Sequence, residues 1–183
     1  MKNFLDLIEN KIQINEKIFA GIIGSNPSKG ARSPILWNKA YVKLNKKIKM
    51  YPLDCKKENI KKLFDELEKN ESFIGGAVTN PYKEELSDIL GNNQTEESKK
   101  IGAINCLYRD NNGKLFGTNT DGEAAIQSLE RNFGTIKNQT FLILGTGGTA
   151  NTILSFIIKK IANTDNIKIV GRNEKKKKKI KDK

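Results

Sequence analysis

The chain has no histidine. The side chain that most often moves protons near neutral pH is therefore missing. A Ser–His–Asp hydrolase and a histidine-ligated metal centre are both excluded, and no metal is expected. Acid–base chemistry falls instead to Lys, Asp, Glu, Tyr or Cys. Cysteine is scarce as well: Cys55 and Cys106 stand far apart and in no paired motif. Two such residues build neither a disulfide framework nor a zinc site, and they read as reduced thiols. No apolar run reaches the roughly 18 residues of a membrane-spanning helix. The start, Met1-Lys2-Asn3-Phe4, lacks the apolar core and cleavage site of a secretory signal. The expectation is a cytoplasmic protein with no membrane partner.

Charge of one sign is abundant, with 33 Lys and Arg against 21 Asp and Glu, a net of +12. Its distribution matters more than its size. The twelve residues Arg172–Lys183 hold eight basic and two acidic side chains, a net of +6, so the other 171 residues carry the remaining +6. Elsewhere lysines alternate with acids, as in Lys56–Lys69, the pattern of a solvated face. No aromatics interleave the terminal basic run, so no stacking platform for bases is formed. Nucleic acid is not an expected partner.

What is present is an alternation of apolar runs and amphipathic stretches. Lys17–Ile23 reads as a buried strand and Gly24–Arg32, rich in Gly, Ser, Asn and Pro, as a loop. Ser33 reads as the cap of a helix with Pro34 in its first turn, followed by Trp37, Ala40, Tyr41 and Leu44. Ile48–Leu53 is a short strand, and Ile60, Leu63, Phe64 and Leu67 mark a helix. Phe73–Val78 is a strand, and Thr79-Asn80-Pro81 starts another helix. Glu96–Ile101 is a short helix with Thr95 as cap. Ile104–Arg109 and Lys114–Gly117 flank the two-residue turn signal Asn112-Gly113, and helix Gly122–Phe133 follows. Strands alternating with helices indicate an α/β protein with a largely parallel sheet.

The strongest local motif is Gln139–Ala150. Phe141–Leu144 is a continuous apolar run, as for a strand buried on both faces. Gly145, Gly147 and Ala150 occupy the three positions of a dinucleotide fingerprint, with Gly148 and Thr149 between them. The first permits the tight turn, the second admits a pyrophosphate, and the third lets helix pack on strand. Ile153–Ala162 has the apolar stripe of the next helix, whose positive end would face phosphate. Ile167–Val170 completes a β-α-β unit. A glycine turn of this kind can also be purely architectural. At the end of the second strand an NAD site expects an acid; this chain has Arg172-Asn173. Arg172 suits a 2′-phosphate and hence NADP, or is simply a surface arginine opening the basic tail.

Two further residues stand out. Lys83, in the first turn of its helix, opposes the helix dipole by about 0.3–1 kcal/mol if exposed. That position favours the neutral amine and suits proton transfer; alternatively Glu84 and Glu85 offset a solvated lysine. Asp121 in Gly117-Thr-Asn-Thr-Asp-Gly122 either caps the next helix or points a carboxylate into a cleft, where a lysine–aspartate pair orients a hydroxyl or carbonyl.

The order of motifs resembles the shikimate dehydrogenases. Ile23-Gly24, Ser33-Pro34 with Asn38, Val78-Thr79-Asn80-Pro81-Tyr82-Lys83, Gly102-Ala103-Ile104-Asn105, Asn119–Gly122, Gly145–Gly148 and the arginine motif at Arg172 follow one another as in that family. The resemblance implies NADP-dependent interconversion of 3-dehydroshikimate and shikimate, a small-molecule substrate of the chorismate and aromatic amino-acid route. It implies Lys83 and Asp121 as catalytic residues, and Ser33, Thr79 and Asn105 as substrate-binding residues. It implies cofactor contacts at Gly145, Gly147, Gly148, Thr149, Ala150, Arg172 and Asn173. It also implies an N-terminal substrate domain with a mixed, mainly parallel sheet flanked by helices, residues 1–121. The first β-α-β of a Rossmann-type NADP-binding domain follows, residues 122–183.

Two departures bear on substrate. Ala31 stands where the family has a serine that holds the substrate carboxylate, and Ala77 stands where an asparagine is common. Arg32 and Lys29 are the cations of that loop. Quinate or another polyol acid is the alternative substrate, and an inactive remnant the alternative to an enzyme. Family members also continue well beyond residue 183, so the resemblance implies a C-terminally shortened chain. A homodimer or a separate C-terminal fragment is the protein partner it leaves open.

Overall fold

A computed structural model describes residues 4–174. The lysine run Lys175–Lys179 lies outside them. The described residues form two compact units: one runs to Lys99 and resumes at Ala103–Thr118, the other takes Lys100–Gly102 and residues 119–174.

The first unit is built on a five-stranded sheet in the order β2-β1-β3-β4-β5. Its strands are β1 (Ile18–Gly24), β2 (Ile48–Asp54), β3 (Phe73–Val78), β4 (Cys106–Arg109) and β5 (Leu115–Thr118). The first three run parallel, while β4 is antiparallel to both β3 and β5. The α/β class with a mixed, mainly parallel sheet is thus observed. β1 lies between two parallel neighbours and is buried from Phe19 to Gly24, which explains its near-continuous apolar sequence.

Alternation along the strands sends side chains to opposite faces. Phe19 and Ile23 join Leu53, Phe73, Leu107 and Leu115 in the main core. Ile60, Leu63, Phe64 and Leu67 of α2 (Ile60–Lys69) and Leu86 and Leu90 of α3 (Lys83–Leu90) close it. Each such side chain taken from water contributes about 1.5–3 kcal/mol before chain entropy is counted. Ala20, Ile22 and Met50 face the other way, onto Tyr41 of α1 (Ser33–Lys43). Trp37 and Leu44 of the expected α1 stripe stay 48% and 65% exposed.

β2 is an edge strand, and its outward backbone groups are occupied. The Asn38 amide donates to Met50 O at 3.1 Å and accepts from Met50 N at 2.7 Å. The Asn10 amide donates to Pro52 O and accepts from Asp54 N, at 2.9 and 2.8 Å. Pairing of another strand along this stretch is thereby blocked.

Local corrections follow from hydrogen bonding. The cap of α1 is Arg32 rather than Ser33, because Leu36 N already donates to Arg32 O and leaves a Ser33 hydroxyl nothing to accept there. Residues 79–82 form a turn, Tyr82 N to Thr79 O, so α3 begins at Lys83 rather than at the Thr79-Asn80-Pro81 segment. Thr95 does cap α4 (Glu96–Ile101), its hydroxyl accepting from Ser98 N at 3.3 Å. The hairpin loop is three residues rather than two. Asp110 N donates to Lys114 O, Gly113 sits at φ 78°, and the Asp110 carboxylate accepts from Asn112 N and Lys114 N.

The second unit contains α5 (Asp121–Phe133), β6 (Phe141–Leu144), α6 (Gly148–Lys160) and β7 (Ile167–Val170), with β6 and β7 parallel. α6 starts five residues before the expected Ile153. Phe141, Ile143, Phe156 and Ile167 pack with Ile126, Ile136 and Ile157. β6 is not buried on both faces: Leu142 and Leu144 are 63% and 74% exposed, because the described residues cover only one face of this two-stranded sheet. No helix among the described residues is long and apolar enough to cross a membrane.

Candidate active site

In the first unit, α1 joins β1 to β2 across one face of the sheet, and α2 joins β2 to β3 across the other. From the carboxyl end of β1 the chain goes on to β2, and from that of β3 to β4, on opposite sides in the strand order. Open α/β sheets bind ligands at such a divergence. Here the two loops bound a crevice of about 360 Å³, lined by Asn26, Pro27, Lys29, Gly30, Ala31, Thr79 and Asn80.

Backbone bonds zip the two loops together. Thr79 N donates to Ile23 O at 2.9 Å and Ser25 N to Asn80 O at 3.3 Å. Gly24 permits this approach, since a Cβ there would lie 2.4 Å from Thr79 Cγ2. Thr79, half-buried, thus stands at the base of the crevice. Ser33 opens α1 two residues beyond Ala31. Asn105 bridges the ends of β3 and β5: its carbonyl accepts from Val78 N at 2.8 Å and its N–H donates to Thr118 O at 3.0 Å. The Lys83 carbonyl accepts from Ile104 N at 3.0 Å, which ties the first residue of α3 to Asn105's neighbour. Four of the expected site residues, Ser33, Thr79, Lys83 and Asn105, therefore belong to one edge of one sheet.

The loop after β1 has an anchor that sequence reasoning missed. Asp54, at the end of β2, is 4% exposed. Its carboxylate accepts from Ser28 N at 2.8 Å and from the Ser28 hydroxyl. A carboxylate ending an otherwise apolar strand was the available signal, because burial demands a partner for it.

Asp121 and the glycine turn belong to the second unit. Asp121 does not cap α5; it is the first helical residue, with Thr120 before it and Ala124 N donating to Thr120 O. The dipole favours a carboxylate there. Buried Asn119 links the two motifs of this unit. Its Oδ1 accepts from Asp121 N, and its Nδ2 donates to Thr152 Oγ1 at 3.1 Å. The Thr152 hydroxyl donates in turn to Gly148 O at 2.9 Å, the first residue of α6. Gly122 is required for packing, since a Cβ on it would stand 2.2 Å from Phe156 Cδ2.

The turn Gly145–Gly148 fits a dinucleotide. Gly145 adopts φ +118°, a conformation L side chains rarely take. A Cβ added to Gly147 would meet no atom within 4 Å, so open space lies beside the amino end of α6. Thr149 and Ala150 are in the first turn of that helix, whose leading N–H groups have no intrahelical acceptors. Gly145 N donates to Val170 O at 2.7 Å, and a Cβ on Gly171 would lie 2.5 Å from Thr146 Cγ2. Arg172, the next residue, is thereby held beside the turn; it and Asn173 are exposed.

Residues 22–107 match the family model for the shikimate dehydrogenase substrate binding domain. The NADP(+) shikimate dehydrogenase of Alkaliphilus oremlandii is 37% identical over 139 residues, 76% of this chain and 47% of its own. That of Methanococcus vannielii is 34% identical over 161 residues, 88% of this chain and 54% of its own. The chain thus spans about half the length of the curated relatives it matches. A shikimate dehydrogenase solved in complex with NADP+ superposes with a TM-score of 0.80 at 28% identity, over 90% of this chain and 54% of that one. Over the segment it shares with these proteins the chain is similar to the shikimate dehydrogenases, and its residues 22–107 match their substrate binding domain.

Proposed function

We propose that the chain carries the substrate domain, residues 1–121, and the opening of the NADP-binding domain, residues 122–183, of an NADP-dependent oxidoreductase that interconverts 3-dehydroshikimate and shikimate. The observation that supports this reading is the placement of Ser33, Thr79, Lys83 and Asn105 on the segments that adjoin the carboxyl ends of β1 and β3, with Thr79 lining the crevice there. Short hydroxyl and amide groups there would accept and donate to the ring hydroxyls of the substrate. Lys83 would pass a proton to or from the reacting oxygen, and Asp121 would be the second acid–base group of the reaction.

NADP would rest its pyrophosphate on Gly145, Gly147, Gly148, Thr149 and Ala150, with Arg172 and Asn173 toward the 2′-phosphate. When bound, it supplies or takes the hydride. The setting we expect is the cytoplasm, with a second copy of the chain as protein partner.

Shikimate-dependent reduction of NADP+, followed at 340 nm in the purified chain, tests the reading. Lys83→Ala is expected to lower kcat by about 10²–10⁴ with KM little changed. Full activity in that variant sinks the assigned role. Absence of both turnover and shikimate binding in the wild-type chain sinks the enzyme reading and favours a non-catalytic remnant. Ala31 favours one second reading, a related polyol acid such as quinate, because it lines the crevice where a hydroxyl is expected. A higher kcat/KM for quinate than for shikimate would establish it.

A further inference from the structure

Lys29 is the charged residue lining the crevice; Asn26, Pro27, Gly30, Ala31, Thr79 and Asn80 are neutral. It ends a short 3-10 turn, Pro27–Lys29, whose backbone is held by hydrogen bonds. Lys29 N donates to Asn26 O and Ala31 N to Pro27 O, at 3.1 and 3.0 Å. Ser28 is clamped by Asp54 through both its N–H and its hydroxyl. The side chain of Lys29 itself is exposed, and none of the ion pairs among the described residues involves it. The buried carboxylate that holds that loop, Asp54 at the end of β2, has an oxygen on each Ser28 donor. The structure therefore presents a lysine on a hydrogen-bonded turn, lining a small crevice and in none of the ion pairs among the described residues. Two residues on, Ala31 lines the same crevice with a methyl group.

We infer that Lys29 is the specificity-determining residue for the carboxylate of the substrate, with the Asp54–Ser28 clamp as its positioning device. The inference rests on the proposed function, since it assigns one end of the same ligand. An ammonium takes over the anion-binding task for which Ala31 has no donor. Charge recognition by lysine is a point interaction, tolerant of angle, made by a compact ammonium on a flexible stem, and a held backbone keeps that stem rooted at the crevice. Arg32 is the competing cation, but it is an α1 cap residue and does not line the crevice.

The test is calorimetric titration of the full chain with shikimate and with its uncharged methyl ester. The proteins are wild type, Lys29→Met, Lys29→Arg, Arg32→Met and Ser28→Ala, with Trp37 emission reporting that each is folded. Loss of one charge-assisted contact predicts that Lys29→Met weakens shikimate binding about tenfold or more. Its affinity for the ester should equal that of wild type, which a merely structural role of the lysine would not produce. Lys29→Arg should restore most of the loss, Arg32→Met should leave it unaffected, and Ser28→Ala should weaken shikimate more than the ester. Equal binding of shikimate by Lys29→Met and wild type overturns the inference alone. So does an equal loss for acid and ester, or a loss that follows Arg32→Met. Failure of the wild-type chain to bind shikimate overturns both the inference and the proposed function.

Discussion

Replacing Asp54 by alanine removes both acceptors that hold the loop after β1. The carboxylate is 4% exposed and takes two hydrogen bonds, from Ser28 N at 2.8 Å and from the Ser28 hydroxyl. Hydrogen bonds to a charged group are each worth about 1.5–3 kcal/mol. Two offsets apply. Ser28 is exposed, so its donors can turn to water, and removing a buried carboxylate relieves its desolvation. The backbone contacts of Asp54 to Asn10 and Glu9 survive the substitution. A net loss of about 2–3 kcal/mol follows for the first unit. With a urea slope of about 2 kcal/mol/M, the unfolding midpoint falls by roughly 1–1.5 M. Trp37, the one tryptophan of the chain, lies on α1 of that unit and reports the transition by fluorescence. Asp54→Asn keeps one acceptor oxygen and is expected to lose about half as much. A midpoint unchanged in Asp54→Ala, or an asparagine variant as damaged as the alanine one, would refute the clamp.

Four other outcomes follow from the structure. Arg109 donates from its guanidinium to the carbonyls of Phe73, Leu67, Glu68 and Asn70, closing the C-terminus of α2. Arg109→Met should therefore cost the first unit about 2–4 kcal/mol in urea titration. Gly122→Val drives a side chain into Phe156 and should lower the stability of the second unit by about 1–3 kcal/mol in hydrogen exchange of α5 and α6 amides, without moving the Trp37 transition. Arg172→Ala should reduce the preference for NADP+ over NAD+ by about tenfold in dinucleotide titrations, the value of one charge-assisted bond.

The fourth outcome concerns alkaline pH. Burial, with Glu58, Glu9 and Glu85 adding to it, pushes the Cys55 thiol from 9.0 up to about 12. Burial and the hydrogen bond to Glu16 push the Tyr51 hydroxyl from 10.0 to about 12. The fold thus favours the neutral form of each while the unfolded chain ionises from pH 9 upward. Stability should hold below pH 9 and fall steadily toward pH 12. Cys55→Ala should flatten the early part of that fall, and a flat midpoint between pH 9 and 11 in the wild type would count against the burial argument.

Much of the first unit was legible because its signals are local. The periodicity of Ile60, Leu63, Phe64 and Leu67 and the apolar run of β1 depend on burial alone. The motifs around Ser33, Thr79 and Asn105 were legible as residues but not as an assembly. What gathers them is the strand order β2-β1-β3, set by pairings between segments 30 to 55 residues apart. Asp54 with Ser28, Asn38 with Met50 and Arg109 with the end of α2 are likewise long-range partners, invisible to any window of sequence. Ser33, expected as a cap, and Asp121, for which a cap is one of two readings, both lie one residue inside their helices. Both residue types favour the cap position, yet Arg32 and Thr120 already supply the first helical carbonyls. The apolar composition of β6 reads as two buried faces, but its even residues, Leu142 and Leu144, face outward in the unit described.

The central claim is that the loops after β1 and β3 form a shikimate site. Amide chemical shifts of the isotopically labelled chain, followed through a shikimate titration, test it directly. The account predicts saturable shifts concentrated at residues 25–33, 79–83 and 105, sharing one dissociation constant. Shifts absent there at saturating shikimate, or confined to residues outside that edge of the sheet, would contradict it.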